Sequence, residues 1–367
     1  MKKRIVIASI LKPADDVRAY WKLSQSIAKT NKYEVNIIGN APKKDISDKN
    51  IHLHPHQVNR NQWLKRLIIR EKILFQTLKL NPSILIITTH ELLNVALIVK
   101  LITRCKIIYD VQENYYANLN SINTSFFKRI YASLIRFKET FSRHFIDEYW
   151  LAESCYQNEL SFVKTKCVVL ENKASFHPIS ERQTRPVRML FSGTLSYYSG
   201  IDIALACYHS VQSNFPDSSL HIIGQIHDDE LKKKLKSEAK MHQGITLRIS
   251  KYPIPHREIL DAIMNSNLGL ITYSPTDVNQ DKIPTKLYEY SRYQLPYIVQ
   301  ENTKWSSVGE QLGGAISVDF SNLDVQVITK TLQNPSYLFP DEYPDEATWE
   351  YESSKIKDSL NRLVNKQ

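Results

Sequence analysis

Short apolar runs rich in isoleucine and valine recur along the chain and alternate with longer segments of helical periodicity. Runs of this kind, without polar alternation, are typical of strands buried on both faces, as in parallel sheets. Their alternation with helical segments predicts βαβ units, and the pattern occurs twice. The expected strands of the first set are Ile5–Ala8, Val35–Ile38, Ile84–Thr88, Lys106–Tyr109, Tyr149–Ala152 and Cys167–Leu170. Those of the second set are Met189–Ser192, Leu220–Ile223, Ile245–Ile249, Leu268–Thr272, Tyr297–Val299 and Ala315–Val318.

The length of 367 residues favours two domains, because a domain usually has about 100–200 residues. We predict an α/β fold of two Rossmann-like, doubly wound domains that face each other across a cleft, where such sheets bind their ligands. The predicted parts are an N-terminal domain over 1–172, a linker over 173–187, a C-terminal domain over 188–345, and a C-terminal helix over 346–367 that can pack back on the first domain.

The two halves of the chain differ in charge. Residues 1–175 hold 28 Lys and Arg against 15 Asp and Glu, whereas residues 176–367 hold 20 against 23. A basic surface is either a solvated face or a contact for an anionic partner such as phosphate, nucleic acid or acidic lipid. The tyrosines are scattered and no nucleic-acid-binding motif occurs, so we expect no nucleic acid as a partner.

Two basic amphipathic segments lie in this first half, Arg60–Leu80 and Lys128–His144. In the first, apolar residues recur at spacings of three and four, which predicts one buried face. The basic outer face either meets solvent or contacts an anionic membrane surface, where each cation contributes roughly 1 kcal/mol.

No apolar run is long enough to span a bilayer, and the N-terminus does not have the pattern of a signal peptide. The four cysteines show no paired spacing, so we predict neither disulfides nor a zinc site. These features favour a cytoplasmic location, peripheral on the inner face of the cytoplasmic membrane if the two basic segments bind lipid.

The sharpest local motif runs from Asp281 to Tyr290 and reads Asp-Lys-Ile-Pro-Thr-Lys-Leu-Tyr-Glu-Tyr. Pro284 suits the first turn of a helix, where no amide hydrogen is needed. The free N–H groups of that turn attract an anion, and Lys282 and Lys286 add two cations. The carboxylate of Glu289 can accept hydrogen bonds from a ribose diol. The motif therefore predicts a site for a nucleotide diphosphate sugar.

This motif resembles that of the GT-B glycosyltransferases, specifically the retaining group called glycosyl transferases group 1. In that group an acidic residue, seven residues and a Glu follow one another, and many members read Pro-x-Lys-x-x-Glu-Tyr. Further similarities to the family occur in chain order at Asp15–Arg18, Ile108–Tyr115, Leu170–Asn172, Ser192–Thr194 and Ser199–Asp202.

The resemblance implies transfer of a sugar from a nucleotide-sugar donor to a glycan or lipid-linked acceptor. It further implies retention of the anomeric configuration, no metal and no cofactor, and a place in bacterial-type cell-surface polysaccharide synthesis. The donor-binding residues that it implies are Glu289, Lys286, Lys282, Gly193, Thr194, Arg18 and Thr285. The implied catalytic residues are Asp281, Gln112, Glu113 and Asp110. The candidates on the acceptor side are His90, Glu91, Asp16 and Glu153.

Two positions depart from the family pattern. Gln112 stands where the family has His, and glutamine can form hydrogen bonds but cannot carry a proton. Ser199 stands where the family often has Arg or Lys before a glycine. Two alternatives therefore stay open: a sugar-nucleotide epimerase on the same scaffold, and a catalytically inactive GT-B partner subunit.

Overall fold

A computed structural model of the chain describes residues 2–41, 48–59, 62–120, 125–164, 166–175, 186–273, 276, 279–301, 303–333 and 335–365. The chain divides into two compact units. The first unit comprises Met1–Asn172 and Trp349–Gln367, and the second comprises Lys173–Thr348. Most of the predicted linker, 176–185, lies outside the described residues.

The first unit is built on a seven-stranded parallel sheet. Its strands are β1 (Lys3–Pro13), β2 (Tyr33–Asn40), β3 (Ile51–His56), β4 (Ile84–Ile87), β5 (Lys106–Val111), β6 (Glu148–Leu151) and β7 (Cys167–Val169). They lie in the order β3-β2-β1-β4-β5-β6-β7. Every residue of β4 and β6 is buried, as expected for strands covered on both faces.

Helices cover both faces of this sheet. They are a π-helix over Val17–Ser24, α1 (Gln25–Ala28), α2 (Trp63–Leu80), α3 (Leu93–Thr103), α4 (Tyr115–Leu119), α5 (Phe126–Ser142) and α6 (Tyr156–Glu159), with short 3₁₀ turns at His90–Leu92 and Ser161–Val163. Val6 and Ala8 pack with α2 and α3 on one face. Ile5 and Ile7 pack on the other face with the π-helix and α1, because successive strand residues point to opposite sides.

The second unit is built on a six-stranded parallel sheet in the order β10-β9-β8-β11-β12-β13. Its strands are β8 (Arg188–Leu195), β9 (Ser219–Ile226), β10 (Ile245–Ser250), β11 (Leu268–Ile271), β12 (Tyr297–Gln300) and β13 (Ala315–Val318). Its helices are α7 (Ile201–Asn214), α8 (Asp229–Met241), α9 (His256–Asn265), α10 (Thr285–Arg292), α11 (Thr303–Leu312) and α12 (Val325–Gln333), with 3₁₀ turns at Tyr197–Ser199, Pro335–Leu338 and Asp345–Ala347.

The last helix, α13 (Trp349–Asn365), belongs to the first unit. Its residues Ile356 and Leu360 lie in the apolar core shared with the π-helix. The indole Nε1 of Trp349 donates to Ser26 Oγ over 3.0 Å. The end of the chain therefore helps to close one face of the first sheet.

Both sheets have the strand order of a doubly wound fold, so each has a point where the order reverses. In the first unit this point lies between β1 and β4, and in the second between β8 and β11. Ligands of such sheets bind beyond the carboxyl ends of the strands at that point. The loops after these four strands are therefore the places to look for function.

The outer surface of α5 carries an exposed apolar stripe, in contrast to the buried apolar face expected for Arg60–Leu80. Phe127, Ile130, Leu134, Phe137 and Phe141 recur at helical spacing and are all exposed, Phe127 by 81%. The face of α5 that packs inward consists of Ala132, Ile135, Glu139 and Ser142.

Helix α2 also leaves part of its apolar residues exposed. In α2, Ile69, Ile73 and Leu74 are buried, as the periodicity predicts, but Leu64 and Phe75 are exposed. The predicted basic segment begins at Arg60, which lies outside the described residues.

Among the described helices, none combines the length and the apolar content that crossing a bilayer requires.

Candidate functional site

Two glycines, Gly193 in the last part of β8 and Gly200 after it, shape a segment of the second unit that we call the glycine loop (Gly193–Gly200). Gly193 has φ +110° and Gly200 has φ +73°, conformations that favour glycine. A Cβ on Gly200 would lie 1.8 Å from the carbonyl oxygen of Thr272, at the end of β11. The loop is therefore held tightly against the neighbouring strand end, at the point where the sheet order reverses.

Ser199 has a structural role in this loop. Its backbone N–H donates to Ser196 Oγ over 3.1 Å, and the backbone N–H of Ser196 donates to Ser199 Oγ over 3.0 Å. This reciprocal pair is a capping box, which satisfies the free N–H groups at a helix start. The hydroxyl that replaces the family's cation is thus turned inward and buried.

Lys286 connects helix α10 to the glycine loop. Its side chain is only 8% exposed, and its Nζ donates to Tyr273 Oη over 2.7 Å. The same Nζ lies 4.7 Å from the centre of the Tyr273 ring. It also lies 3.0 Å from the position that a Cβ on Gly193 would take. A cation from the first turn of α10 therefore lies directly over the end of β8, where the glycine loop begins.

Glu289 follows Lys286 by three residues, so the two side chains share one face of α10. Its Oε1 lies 3.8 Å from Nε2 of His256, the first residue of α9. Both side chains are partly exposed, which leaves the carboxylate accessible to a hydroxyl donor. His256 and Tyr273 are partners that the sequence did not single out.

The segment before α10 is fixed through its backbone. Lys304 Nζ donates to the carbonyl oxygen of Asp281, and Trp305 Nε1 donates to that of Lys282 over 2.8 Å. Pro284 is the residue before the first helical turn, and its own side chain forms no cap. The N–H groups of Thr285 and Lys286 are not used by the intrahelical hydrogen-bond ladder. Asp281, Thr285 and Thr194 are exposed.

In the first unit, Arg18 and Asp110 form a buried ion pair. Arg18 Nε lies 2.9 Å from Asp110 Oδ2, and Nη2 lies 2.6 Å from Oδ1. Arg18 Nη1 donates to the carbonyl oxygen of Leu170 and to Asn172 Oδ1. Arg18 is only 4% exposed and Asp110 is fully buried. In this arrangement the guanidinium of Arg18 is used by Asp110, Leu170 and Asn172, and both charged groups are shielded from solvent.

Gln112 extends this network towards the surface. Its Nε2 donates to Asp110 Oδ2 over 2.6 Å, and its Oε1 accepts a hydrogen bond from Lys12 Nζ. Lys12 lies near the end of β1 and Gln112 directly follows β5. The network thus places the ammonium group of Lys12 at the carboxyl ends of the strands of the first sheet. Sequence reasoning did not single out this lysine. Glu113, the next residue, is exposed.

His90 lies just after β4, at the reversal point of the first sheet. Its ring meets Tyr115 edge-on, with the ring centres 4.6 Å apart. Burial lowers the pKa of His90 to about 4, assisted by the nearby cations Lys138 and Arg66. The imidazole is therefore neutral at pH 7, so that one ring nitrogen can donate a hydrogen bond and the other can accept one.

The other acceptor-side candidates have different surroundings. Glu91 forms an ion pair with Arg66 on α2. Asp16 accepts hydrogen bonds from the backbone N–H groups of Arg18 and Ala19 and so caps the π-helix. Glu153 is partly buried in the loop after β6. Of these three side chains, Asp16 uses its carboxylate to cap the π-helix.

A cavity of about 500 Å³ lies elsewhere in the first unit. Its lining includes Lys106, Glu148 and Cys167, which are the first residues of β5, β6 and β7. It is therefore at the amino ends of the strands, the edge opposite to the one at which doubly wound sheets bind ligands.

Comparisons with known proteins agree with this architecture. Neither the scan against protein-family models nor the search of curated proteins finds a match for the sequence. Solved structures do match over the whole chain. Sucrose-phosphate synthase from Thermosynechococcus elongatus has a TM-score of 0.71 at 10% identity and covers 100% of both chains.

Two further structures broaden the comparison. Anabaena HepE, solved in complex with UDP and glucose, has a TM-score of 0.62 at 11% identity and covers 100% of both chains. A Listeria monocytogenes protein described as a UDP-N-acetylglucosamine 2-epimerase has a TM-score of 0.62 at 12% identity, and the match covers 100% of this chain and 98% of that one. At these identities the likeness concerns the fold. The chain has the GT-B fold of two parallel-sheet α/β domains, which confirms the predicted fold class.

Proposed function

We propose that the chain is a glycosyltransferase that moves a sugar from a nucleoside diphosphate sugar to a glycan or lipid-linked acceptor. The donor binds to the second unit, at the glycine loop (Gly193–Gly200) and the start of α10. The observation that carries this proposal is the position of Lys286 over Gly193, with Glu289 one turn further along the same helix.

The chemistry of a nucleotide sugar fits these groups. A diphosphate is an anion, and the Lys286 ammonium, the free N–H groups of the α10 terminus and the backbone at Gly193 are donors and positive charges. Because Lys286 is shielded from water, its attraction for a phosphate is stronger than in bulk solvent. Glu289 accepts hydrogen bonds from the ribose hydroxyls.

Lys286 has a further role in the transfer step. As the bond between the anomeric carbon and the diphosphate oxygen breaks, negative charge accumulates on the leaving diphosphate. A fixed cation at that point stabilises the transition state more than the ground state. Thr285 and Lys282 assist at the phosphates, and Asp281 lies on the donor-sugar side. In this proposal the reaction is retaining and needs no metal.

The first unit holds the acceptor in this proposal. The Asp110–Gln112–Lys12 network ends at the carboxyl edge of the first sheet, where His90 also lies. In this proposal Gln112 and Glu113 contact the acceptor and its incoming hydroxyl, and Arg18 keeps Asp110 in place. HepE, with the same fold, was solved with UDP and glucose, which supports a nucleotide sugar as the ligand class.

The exposed apolar faces of the first unit support a peripheral membrane association. On α3, Leu101 and Ile102 are exposed, Leu101 by 73%, and α3 contacts both α2 and α5. Apolar side chains surrounded by cations such as Lys65 and Lys128 favour an anionic bilayer over other occupants. An acceptor carried on a lipid would reach a protein bound in this way. A role in cell-surface polysaccharide synthesis is likewise part of the proposal.

A second candidate function is a sugar-nucleotide epimerase, favoured by the fold match to the Listeria protein. An epimerase isomerises its nucleotide sugar without an acceptor, whereas a transferase releases nucleoside diphosphate when an acceptor takes the sugar.

The test is a product analysis on the full-length chain. UDP-, GDP- and ADP-sugars that raise the melting temperature are incubated with and without alkyl glycosides and polyprenyl-linked sugars, and the products are identified. The proposal predicts acceptor-dependent release of nucleoside diphosphate and a new glycoside. An isomerised nucleotide sugar without acceptor would instead establish the epimerase, and donor binding without any turnover would establish an inactive partner subunit.

A further inference from the structure

Three metal-ligating side chains meet on the surface of the second unit, between α7 and α8. They are His209 on α7, Glu238 on α8 and His242 directly after α8. Glu238 Oε2 lies 3.5 Å from His209 Nε2 and 3.8 Å from His242 Nε2. One ligand atom from each residue lies within 4.8 Å of the other two. The three residues form a triad that the mechanism above does not use.

These separations match a shared metal ion. Two ligands bound tetrahedrally to zinc at about 2.0–2.1 Å lie about 3.4 Å from each other. The two nitrogen-to-oxygen distances in the triad are close to that value. The remaining pair of ligand atoms, on His209 and His242, can approach each other by rotation of the side chains. The side chains of His209, Glu238 and His242 are exposed by 38%, 21% and 35%, which leaves room for that rotation.

Helix spacing, a backbone hydrogen bond and a ring contact hold the triad together, independently of ion pairing among its members. Glu238 and His242 are four residues apart and therefore share one face of the helix. The backbone N–H of His242 donates to the carbonyl oxygen of Glu238 over 2.9 Å, which fixes the end of α8. The rings of His209 and His242 pack edge-on, with their centres 4.6 Å apart. Two helices thus present their ligands to one point.

We propose that this triad binds a divalent transition-metal ion of the zinc class, with water completing the coordination shell. Two imidazoles and one carboxylate suit zinc, whereas magnesium and calcium prefer oxygen ligands alone. The ion ties α7 to α8. His209 lies about 12 Å along α7 from its first residue, at 1.5 Å per residue, so the ion stabilises the second unit away from the glycine loop. The inference is independent of the proposed sugar transfer.

The alternative is an ordinary ion pair between Glu238 and a protonated histidine. The two accounts differ in what zinc does. A metal site uses the two imidazole nitrogens and the carboxylate as ligands, so zinc binds the folded chain and stabilises it. An ion pair gains nothing from added metal.

The experiment titrates chelator-treated full-length protein with Zn²⁺ by calorimetry, and with Co²⁺ by visible absorption. We expect one bound ion per chain, a higher melting temperature with Zn²⁺, and a loss of affinity of more than about tenfold in His209→Gln and in His242→Gln. Glutamine keeps a polar side chain at each surface position, and circular dichroism checks that the variants are folded.

His227→Gln is the matched control, because His227 is an exposed histidine of the same unit outside the triad. It should bind Zn²⁺ as the wild type does. The proposal is overturned if the wild type binds no stoichiometric zinc, or if both triad variants bind it as tightly as the wild type. Nucleotide-sugar binding by His209→Gln reports separately on the proposed function.

Discussion

The Lys286 ammonium fills the space over Gly193 that a side chain would need, 3.0 Å from the position of the missing Cβ. The glycine belongs to the end of β8 and the lysine to the first turn of α10, and the fold brings these distant parts of the sequence to the same strand end. Tyr273 holds the lysine in place through its hydroxyl and its ring. This relationship defines where the diphosphate of a nucleotide sugar is proposed to bind.

Replacing this lysine should impair turnover more than folding. We expect Lys286→Ala to lower kcat/KM by about 100-fold, the usual cost of removing one electrostatic group from a transition state. Loss of the bond to Tyr273 should cost only about 1 kcal/mol of stability. Steady-state kinetics and the melting temperature measure the two effects. Lys236→Ala, at an exposed position on α8, should leave both unchanged, and equal activity in Lys286→Ala would contradict its role.

Gln112 tests whether the departure from the family pattern affects the reaction. A neutral imidazole offers one donor and one acceptor, so Gln112→His can keep the bonds to Asp110 and Lys12. It also adds a group that exchanges protons near neutral pH. We expect the variant to turn over with a pH dependence that the wild type lacks, and Gln112→Leu to be slower than both. Superimposable pH profiles for the histidine variant and the wild type would show that the position does not contact the reacting groups.

The inward face of α5 carries a buried acid whose titration affects stability. Glu139 is 1% exposed and accepts a hydrogen bond from Tyr109 Oη over 3.0 Å. Burial raises the pKa of Glu139 from 4.5 to about 7, against smaller opposing effects of Tyr109 and Arg136. Between these two values the folded chain binds more protons than the unfolded chain, so the free energy of unfolding falls as the pH rises from about 4.5 to about 7.

Glu139→Gln removes this penalty while keeping an acceptor for Tyr109. The variant should therefore gain stability relative to the wild type above pH 7, by up to about 3 kcal/mol, and gain little at pH 4.5. Urea unfolding at the two pH values measures the difference. Glu71→Gln, an exposed position on α2, is the control. A stability difference that is the same at both pH values would refute the prediction.

The exposed stripe of α5 predicts binding to vesicles. The double variant Phe127→Ser with Phe137→Ser should lose about tenfold or more in affinity for phosphatidylglycerol-containing vesicles, since burying one such side chain contributes about 1.5–3 kcal/mol. Part of the wild-type binding should resist salt, because insertion of apolar groups is not screened. Tyr252→Ser, an exposed aromatic position of the second unit, is the control. Flotation of the double variant at the wild-type level would exclude this surface.

Most strands of the two sheets were predictable because their core positions are uninterrupted apolar runs, whereas β10 alternates apolar and polar residues. Strand β3 (Ile51–His56) was not, because it alternates with histidines at the edge of the sheet and contains Pro55. The motif around Lys286 was visible because its residues are adjacent in sequence. The partners Tyr273 and His256, and the bond between Lys12 and Gln112, are set by tertiary contacts over long sequence separations.

The role of Arg18 and the orientation of α5 were also beyond the sequence. Arg18 belongs to a loop that resembles the family's, but only packing shows that its guanidinium is used by Asp110 and Leu170. The sequence of α5 shows apolar residues at helical spacing but does not show which face packs inward. The structure buries the face formed by Ala132, Ile135, Glu139 and Ser142.

The most direct test of the account is a calorimetric titration of nucleoside diphosphates into the wild type and Glu289→Ala. The base to use is the one whose sugar raises the melting temperature most. We predict that the variant loses about tenfold or more in affinity for the ribonucleotide, about 1.4 kcal/mol, and little for its 2′,3′-dideoxy analogue, because the carboxylate accepts from the ribose hydroxyls. Glu310→Ala, exposed on α11, should bind as the wild type does. Unchanged affinity of Glu289→Ala for the ribonucleotide would contradict the central claim.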